Sequence, residues 1–455
     1  MPAWTTLKRT VQFEIEQKQQ EGCNVDGLLE RLDTMTDESQ IAAFYAQILK
    51  LTPVDFKYTE NTDYLAQIEK AKGYASKIEY SDSVLKDKIA GGVFGRFIGC
   101  ALGKPFETYP FVCGDGKNIG AYYIRKYLEG ASAWPLNDYV PAQSEYTKEN
   151  SEAACNPDVE CVACLKENIK DSSIDDDTGY TVLGFHLVDK FGIGFTTYQL
   201  AKTWQEHLPY GKICTAEVEA FKNYAECFCR EVPVTEEAFN EKLEYIRETN
   251  NPYREYLGTR IRVDGYSMCC PGKPYEAMRA AVADANFTHT KNGVYSAYYV
   301  AALIALAYTE NDVEGLVKKA MSLIPDNTRL KEAVEFGYRL AKEETDFYVI
   351  TERIWERYKD YCWIHALTND CLLTAALIYS GGNFEKGITC AVMGAYDTDC
   401  NGATAGTILG ILNGNSNIPE RWKKPLNNSY RTHVVGYSHG KISDLADWCY
   451  SLCKR

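Results

Sequence analysis

Several things are scarce in this sequence, and each scarcity excludes a class of protein. No apolar run is long enough to cross a bilayer. The longest, Tyr295 to Tyr308, is about 14 residues, short of the roughly 20 that a spanning helix needs, and it suits a buried helix. Positive charge is in deficit: 49 Lys and Arg against 63 Asp and Glu leave a formal net charge of −14. Broad nucleic-acid binding requires a basic footprint, so neither nucleic acid nor membrane is an expected partner. The first 25 residues are polar and charged, with no apolar core of the kind a secretory leader carries. Sustained strand-type alternation is scarce as well. Cysteine, by contrast, is plentiful at 17. An odd count in a large chain without a leader reads as reduced thiols in a cytoplasmic protein, many of them in the core. Cys161 and Cys164 form a C-x-x-C with Cys155 just upstream, but no second pair follows. They read as loop thiols, with a structural zinc site as the alternative.

Residues 1 to about 85 are rich in Glu, Gln, Lys and Leu at helical spacing and carry no strong catalytic pattern. They are expected to form a helical N-terminal extension. From about residue 86 the character changes. Leu85, Ile89, Val93 and Phe97 make one apolar helical face, and Gly91, Gly95, Gly99 and Gly103 run along the other side. A second ridge, Gly402, Gly406, Gly410 and Gly414, lies near the far end. Glycine is a poor helix former, so four at one spacing imply that another backbone comes close along that stripe. Further helices are expected around 178–190, 196–206, 216–229, 236–248, 294–308, 312–323, 330–341, 370–379 and 384–394. The fold class is therefore all-α. The polar stretch from about 141 to 173 reads as a long loop, either a functional lid or a surface excursion.

Two acidic clusters stand out. Asp175, Asp176 and Asp177 precede an apolar segment through Val182, Leu183, Phe185 and Leu187. One Asp there would satisfy a helix cap; three in a row repel one another and favour a bound cation. Asp397 and Asp399 sit between two apolar helices, with no Lys or Arg from 387 to 413. Buried carboxylates need partners, and hard oxygen donors from two clusters suit Mg²⁺ or Mn²⁺, with room for two ions.

Three spaced blocks resemble the ADP-ribosylglycohydrolase family, of the dinitrogenase-reductase-activating glycohydrolase type. The family's G-D-A-L-G-x-P-x-E is similar to Gly99-Cys100-Ala101-Leu102-Gly103-Lys104-Pro105-Phe106-Glu107. Its T-D-D-T falls on Asp175-Asp176-Asp177-Thr178, and its G-x-D-T-D-T-x-G-A-x-x-G falls on residues 395–406. The resemblance covers roughly residues 86 to 415. It implies a catalytic domain over 86–455, a single large helical domain around a two-metal site. By position, Asp176, Asp177, Asp397 and Asp399 become metal ligands, with Asp175 and Cys400 standing where the family has threonines. Cys100 stands where it has an aspartate.

The resemblance further implies a hydrolase of an N- or O-glycosidic bond, in an ADP-ribosylated protein or a small-molecule glycoside. The alternatives are another glycoside on the same fold, or an inert binding protein. Glu107, Asp177 and Asp397 are the expected catalytic carboxylates. Gly293, Tyr295 and Ser296 begin the apolar helix and are candidate substrate contacts, with a plain helix start as the other reading. His365 reads first as a satisfied core histidine and second as a substrate contact.

Overall fold

The computed structural model describes residues 6–228 and 234–455. At its centre the helices Asp82–Gly103 and Thr398–Asn413 run antiparallel, glycine against glycine. Gly91 faces Gly410, Gly95 faces Gly406, Gly99 faces Gly402, and Gly103 faces Thr398. A β-carbon on any of these four would fall within 3.0 Å of the opposing backbone, so the two helices can approach this closely only because those side chains are missing. Gly414, expected on the same ridge, instead ends its helix at a φ of +81°, a conformation that favours glycine.

The other expected helices surround this pair, with ends displaced by a few residues. The apolar helix runs Lys291–Leu306 and is buried from Asn292 onward. The helix expected at 370–379 begins earlier, as Ala366–Ser380. That expected at 216–229 is Thr215–Phe228, and Cys229 lies outside the described residues. Pro274–Ala285, Phe347–Tyr358 and Ile442–Cys453 are further helices. The strands among the described residues are Ser429–Arg431 and His439–Lys441, paired antiparallel with Tyr430 opposite Gly440. The fold is all-α, and no described helix is long and apolar enough to cross a membrane.

The N-terminal helices Leu7–Gln20, Leu28–Asp33 and Glu38–Ile48 share a small core of Val11, Ile15, Leu32, Ile41, Phe44 and Ile48. Tyr64, Ile68 and Ala71 already belong to the main core. The first helix docks through buried polar groups. Glu14 takes both terminal nitrogens of Arg254 at 3.0 and 2.9 Å, and Gln17 donates to Glu255 at 2.9 Å. The stretch 141–173 crosses the surface in short turns and fastens the turn after the first glycine helix. The Asn156 backbone donates to Pro105 O at 2.9 Å, and its side chain donates to Glu107 O at 2.7 Å. Every described cysteine is free.

Candidate functional site

The close approach of the glycine helices brings three helix ends together. Asp175 caps the helix Asp176–Phe191, its Oδ1 accepting from Asp177 N at 2.8 Å. Asp397 stands at the N-cap of Thr398–Asn413, with Asp399 in the first turn. Thr398 Oγ1 donates to Gly103 O at 2.8 Å and ties that turn to the end of the other glycine helix. Just before it, Ala395 and Tyr396 hold left-handed φ values of 67° and 57°. Two consecutive non-glycine residues there store roughly 1–3 kcal/mol each, a strain typical of functional sites.

The clusters meet. One ligand-capable atom each from Asp175, Asp176 and Asp177 lies within 4.8 Å of the others, as do atoms of Asp177, Asp399 and Cys400, and of Cys100, Asp175 and Asp399. Two buried cations answer part of this charge. Arg96 Nη2 is 2.6 Å from Asp177 Oδ1, and its Nη1 is 3.4 Å from Asp264 Oδ2. Lys104 Nζ pairs with Asp175 Oδ2 and stands 4.0 Å from Glu107 Oε2. The absence of Lys and Arg from 387–413 pointed to metal as the partner of these acids, yet two cations reach the acidic cluster from the first glycine helix and the turn that follows it. Arg96, the one charged residue between Ile89 and Gly103, is the sequence signal for this.

The protonation pattern follows from burial and neighbours. Burial opposes charge on Asp175, but Lys104 overrides it and the pKa falls. Burial outweighs Arg96 at Asp177 and raises it well above the carboxylate range. Burial and then Asp399 raise Asp397; burial and then Asp175 raise Asp399. At Asp176 the same causes, burial and Asp175, push the pKa up to about 7. Glu107 is about a third exposed and lines the cavity described below, and burial with Asp399 nearby raises it well above its usual value. Burial raises the Cys400 thiol too, and its Sγ donates to Asp177 Oδ2 at 3.1 Å.

Asp397 Oδ1 and Asp399 Oδ1 are buried with no hydrogen-bond partner. Buried carboxyl oxygens left without a partner cost about 1–3 kcal/mol each, a cost that a bound cation would remove. Asp399 is also shared by two of the three groups that could hold an ion, and Asp176 and Asp397 line the same cavity as Asp399, offering the hard oxygen donors a divalent ion takes. Above them opens a cavity of about 440 Å³. Glu107, Asp176, Asp397, Asp399 and Cys400 form its floor; Tyr180, Tyr253, Tyr256 and Trp363 form its walls. A slightly larger cavity of about 530 Å³ beside Trp134, Tyr348 and Arg421 holds none of the clustered carboxylates and is set aside on that ground.

The expected substrate contacts are not brought to the acids. Gly293 O accepts from Thr259 Oγ1 at 2.6 Å, and Tyr295 OH donates to Asn61 O at 2.6 Å while meeting Tyr64 edge-on. Ser296 is fully buried, its hydroxyl has no hydrogen-bond partner, and it does not line the acid-bearing cavity. The start of that helix turns toward the N-terminal segment, because the buried Glu14–Arg254 and Glu255 contacts draw the two together. His365 caps its own helix, Nδ1 accepting from Leu367 N at 3.1 Å, and packs behind cavity-lining Trp363 and Ile364. It is fully buried, and its Nε2 has no hydrogen-bond partner. Asp175 and Asp177 sit behind the floor, held by Lys104 and Arg96.

Residues 81–455 match the family model described as ADP-ribosylglycohydrolase, a span that holds both glycine helices and both acidic clusters. The chain belongs to the ADP-ribosylglycohydrolase family. A solved structure titled "ADP-ribosylglycohydrolase-related protein complex" aligns at a TM-score of 0.46 and 17% identity, over 82% of this chain and 99% of that one. No curated protein matches the chain. Membership in the ADP-ribosylglycohydrolase family points to glycoside hydrolysis, and the buried Asp and Cys groups could hold a metal ion.

Proposed function

We propose that this protein is a metal-dependent hydrolase that cleaves the N- or O-glycosidic bond of an ADP-ribosyl or ribosyl conjugate. The substrate is a small-molecule glycoside or an ADP-ribosylated protein, and the cofactor is Mg²⁺, two ions, with Mn²⁺ as the substitute. The observation that carries this reading is the pair of orphaned oxygens on Asp397 and Asp399 at the floor of a cavity large enough for a sugar. Asp176, Asp397 and Asp399 would hold the ion. Such an ion lowers the pKa of water and orients sugar hydroxyls. Glu107 keeps a proton at a carboxyl that faces the cavity, suited to a leaving atom as general acid. Asp397, whose Oδ1 has no partner, would take the opposite role as base once a bound ion displaces its proton, while Arg96 holds Asp177 in place. The aromatic walls limit water around the reacting atoms. The free thiols fit a cytoplasmic setting.

A screen of ADP-ribosyl conjugates and simple glycosides with Mg²⁺ or Mn²⁺ tests this directly. Turnover is expected to need metal and to vanish in Asp397→Ala/Asp399→Ala; turnover that survives in that double variant overturns the reading. One observation favours a second reading, an inert ligand-binding member: the Lys104 ammonium already occupies the Asp175 side of the cluster. Calorimetric titration separates the two, because failure to bind either ion would favour the inert protein.

A further inference from the structure

The helix Leu7–Gln20 lies outside the residues that match the family, yet it walls part of the acid-floored cavity. Arg9 and Phe13, four residues apart on one helical face, both line it. The Arg9 guanidinium lies 4.4 Å over the Phe13 ring, and Phe13 meets Tyr253 edge-on at 5.3 Å. Tyr253 leads on to Tyr256 at 5.5 Å, so an aromatic surface runs from the mouth toward the floor. The helix is held firmly, since Glu14 is buried against Arg254 and Gln17 against Glu255.

Charge sharpens the point. Arg9 is the one cationic residue among the described residues lining this cavity, against Glu107, Asp176, Glu217, Asp397 and Asp399. Its side-chain hydrogen bond goes to neutral Gln12 at 2.5 Å, and no described ion pair includes it. Glu16 on the same helix feels the charge of Arg9 but stands beyond ion-pair distance, so the guanidinium, stacked on a ring, keeps donors of its fork for an incoming oxyanion.

We infer that the N-terminal segment is the specificity element of this site. Arg9 binds a negatively charged oxyanion on the part of the glycoside remote from the bond that is cut, and Phe13 with Tyr253 receives a planar ring beside it. The inference rests on the proposed hydrolase only for which end of the ligand meets the acids.

Calorimetry on the full chain with Mg²⁺ tests it, using ADP-ribose as the anionic, ring-bearing probe and ribose as the neutral one. Wild type is expected to prefer ADP-ribose. Arg9→Ala should weaken ADP-ribose roughly tenfold, as the loss of a charged hydrogen bond does, and leave ribose unchanged. Arg9→Lys should recover part of the loss, and Phe13→Ala should also weaken ADP-ribose alone. Equal ADP-ribose affinity in wild type and Arg9→Ala overturns the inference, as does a wild type with no preference for ADP-ribose. Its failure differs from that of the hydrolase reading. Turnover with kcat/KM unchanged in Arg9→Ala would sink the specificity element and spare the enzyme. An Arg9-dependent affinity without turnover of any conjugate would do the reverse.

Discussion

Gly103→Ala isolates the link between helix packing and the site. Gly103 has a φ of −81°, which alanine adopts freely, so the effect of the substitution is steric. The added methyl would strike the Thr398 carbonyl and the Asp399 amide, both backbone, with no flexible side chain to give way. An ordinary contact is at least 3.4 Å, so the two helix ends must part by roughly an ångström. Overpacking of this kind costs about 1–3 kcal/mol. Alanine's helix preference returns at most about 1 kcal/mol, less at the last residue of a helix, leaving a net loss of about 1–2 kcal/mol. The shift falls on Asp397 and Asp399, which flank Thr398, while Asp175 to Asp177 stay with their own helix. A misplacement of about 1 Å can cost on the order of 10²-fold in rate. Gly91→Ala is the matched control. It makes the same clash with Gly410 about 18 Å up the helix at 1.5 Å per residue. Melting curves and Mg²⁺ calorimetry on both variants are the assay. Both should melt a few degrees lower, but only Gly103→Ala should lose divalent-ion affinity and turnover. Wild-type melting and ion binding in Gly103→Ala would refute the reasoning, as would equal loss of ion binding in Gly91→Ala.

Other consequences follow from the charges. Arg96→Met strands Asp177 and Asp264 in the core and should cost about 3–5 kcal/mol in urea unfolding; a loss under about 1 kcal/mol would show that the pair is not buried as described. Asp176 is raised to about 7 in the folded state. Between about pH 4 and pH 7 the ion-free protein therefore holds a proton there that the unfolded chain has released, and this contribution, complete below about pH 4, is lost by the time pH has risen through about 7. The melting temperature of EDTA-treated protein should fall from about pH 4 to about pH 7 and level off above, and Mg²⁺ should reverse the fall; a flat profile over that range would contradict the protonation pattern. Glu107→Gln should lower turnover roughly 10²- to 10⁴-fold with melting unchanged, and near-wild-type turnover would remove Glu107 from the chemistry.

Periodicity and spacing made the helices and the glycine contact legible, because a helix repeats its faces locally and a missing side chain is visible in one dimension. The acids were visible for the same reason. Their partners were not: Arg96 meets Asp177 from 81 residues away, and Lys104 meets Asp175 from 71. Nothing local in either segment announces such a pair. Gly293, Tyr295 and Ser296 show the opposite case, since none of them lines the acid-bearing cavity. A glycine-containing helix start looks the same whether it faces a ligand or a neighbouring segment. Here the docking of residues 7–20 against Arg254 and Glu255 decided its direction.

What the sequence by itself determined is the all-α class, the family, the two glycine ridges as places of close backbone approach, and the two acid clusters as a candidate site. Each is carried by short-range pattern and composition. The tertiary structure alone decided which oxygens are left unpaired, which cations neutralise the others, and that an N-terminal helix closes the cavity with Arg9 and Phe13. Those outcomes depend on long-range Coulomb pairing and on which surfaces compete for burial. Both are properties of the folded whole and of no single stretch of chain.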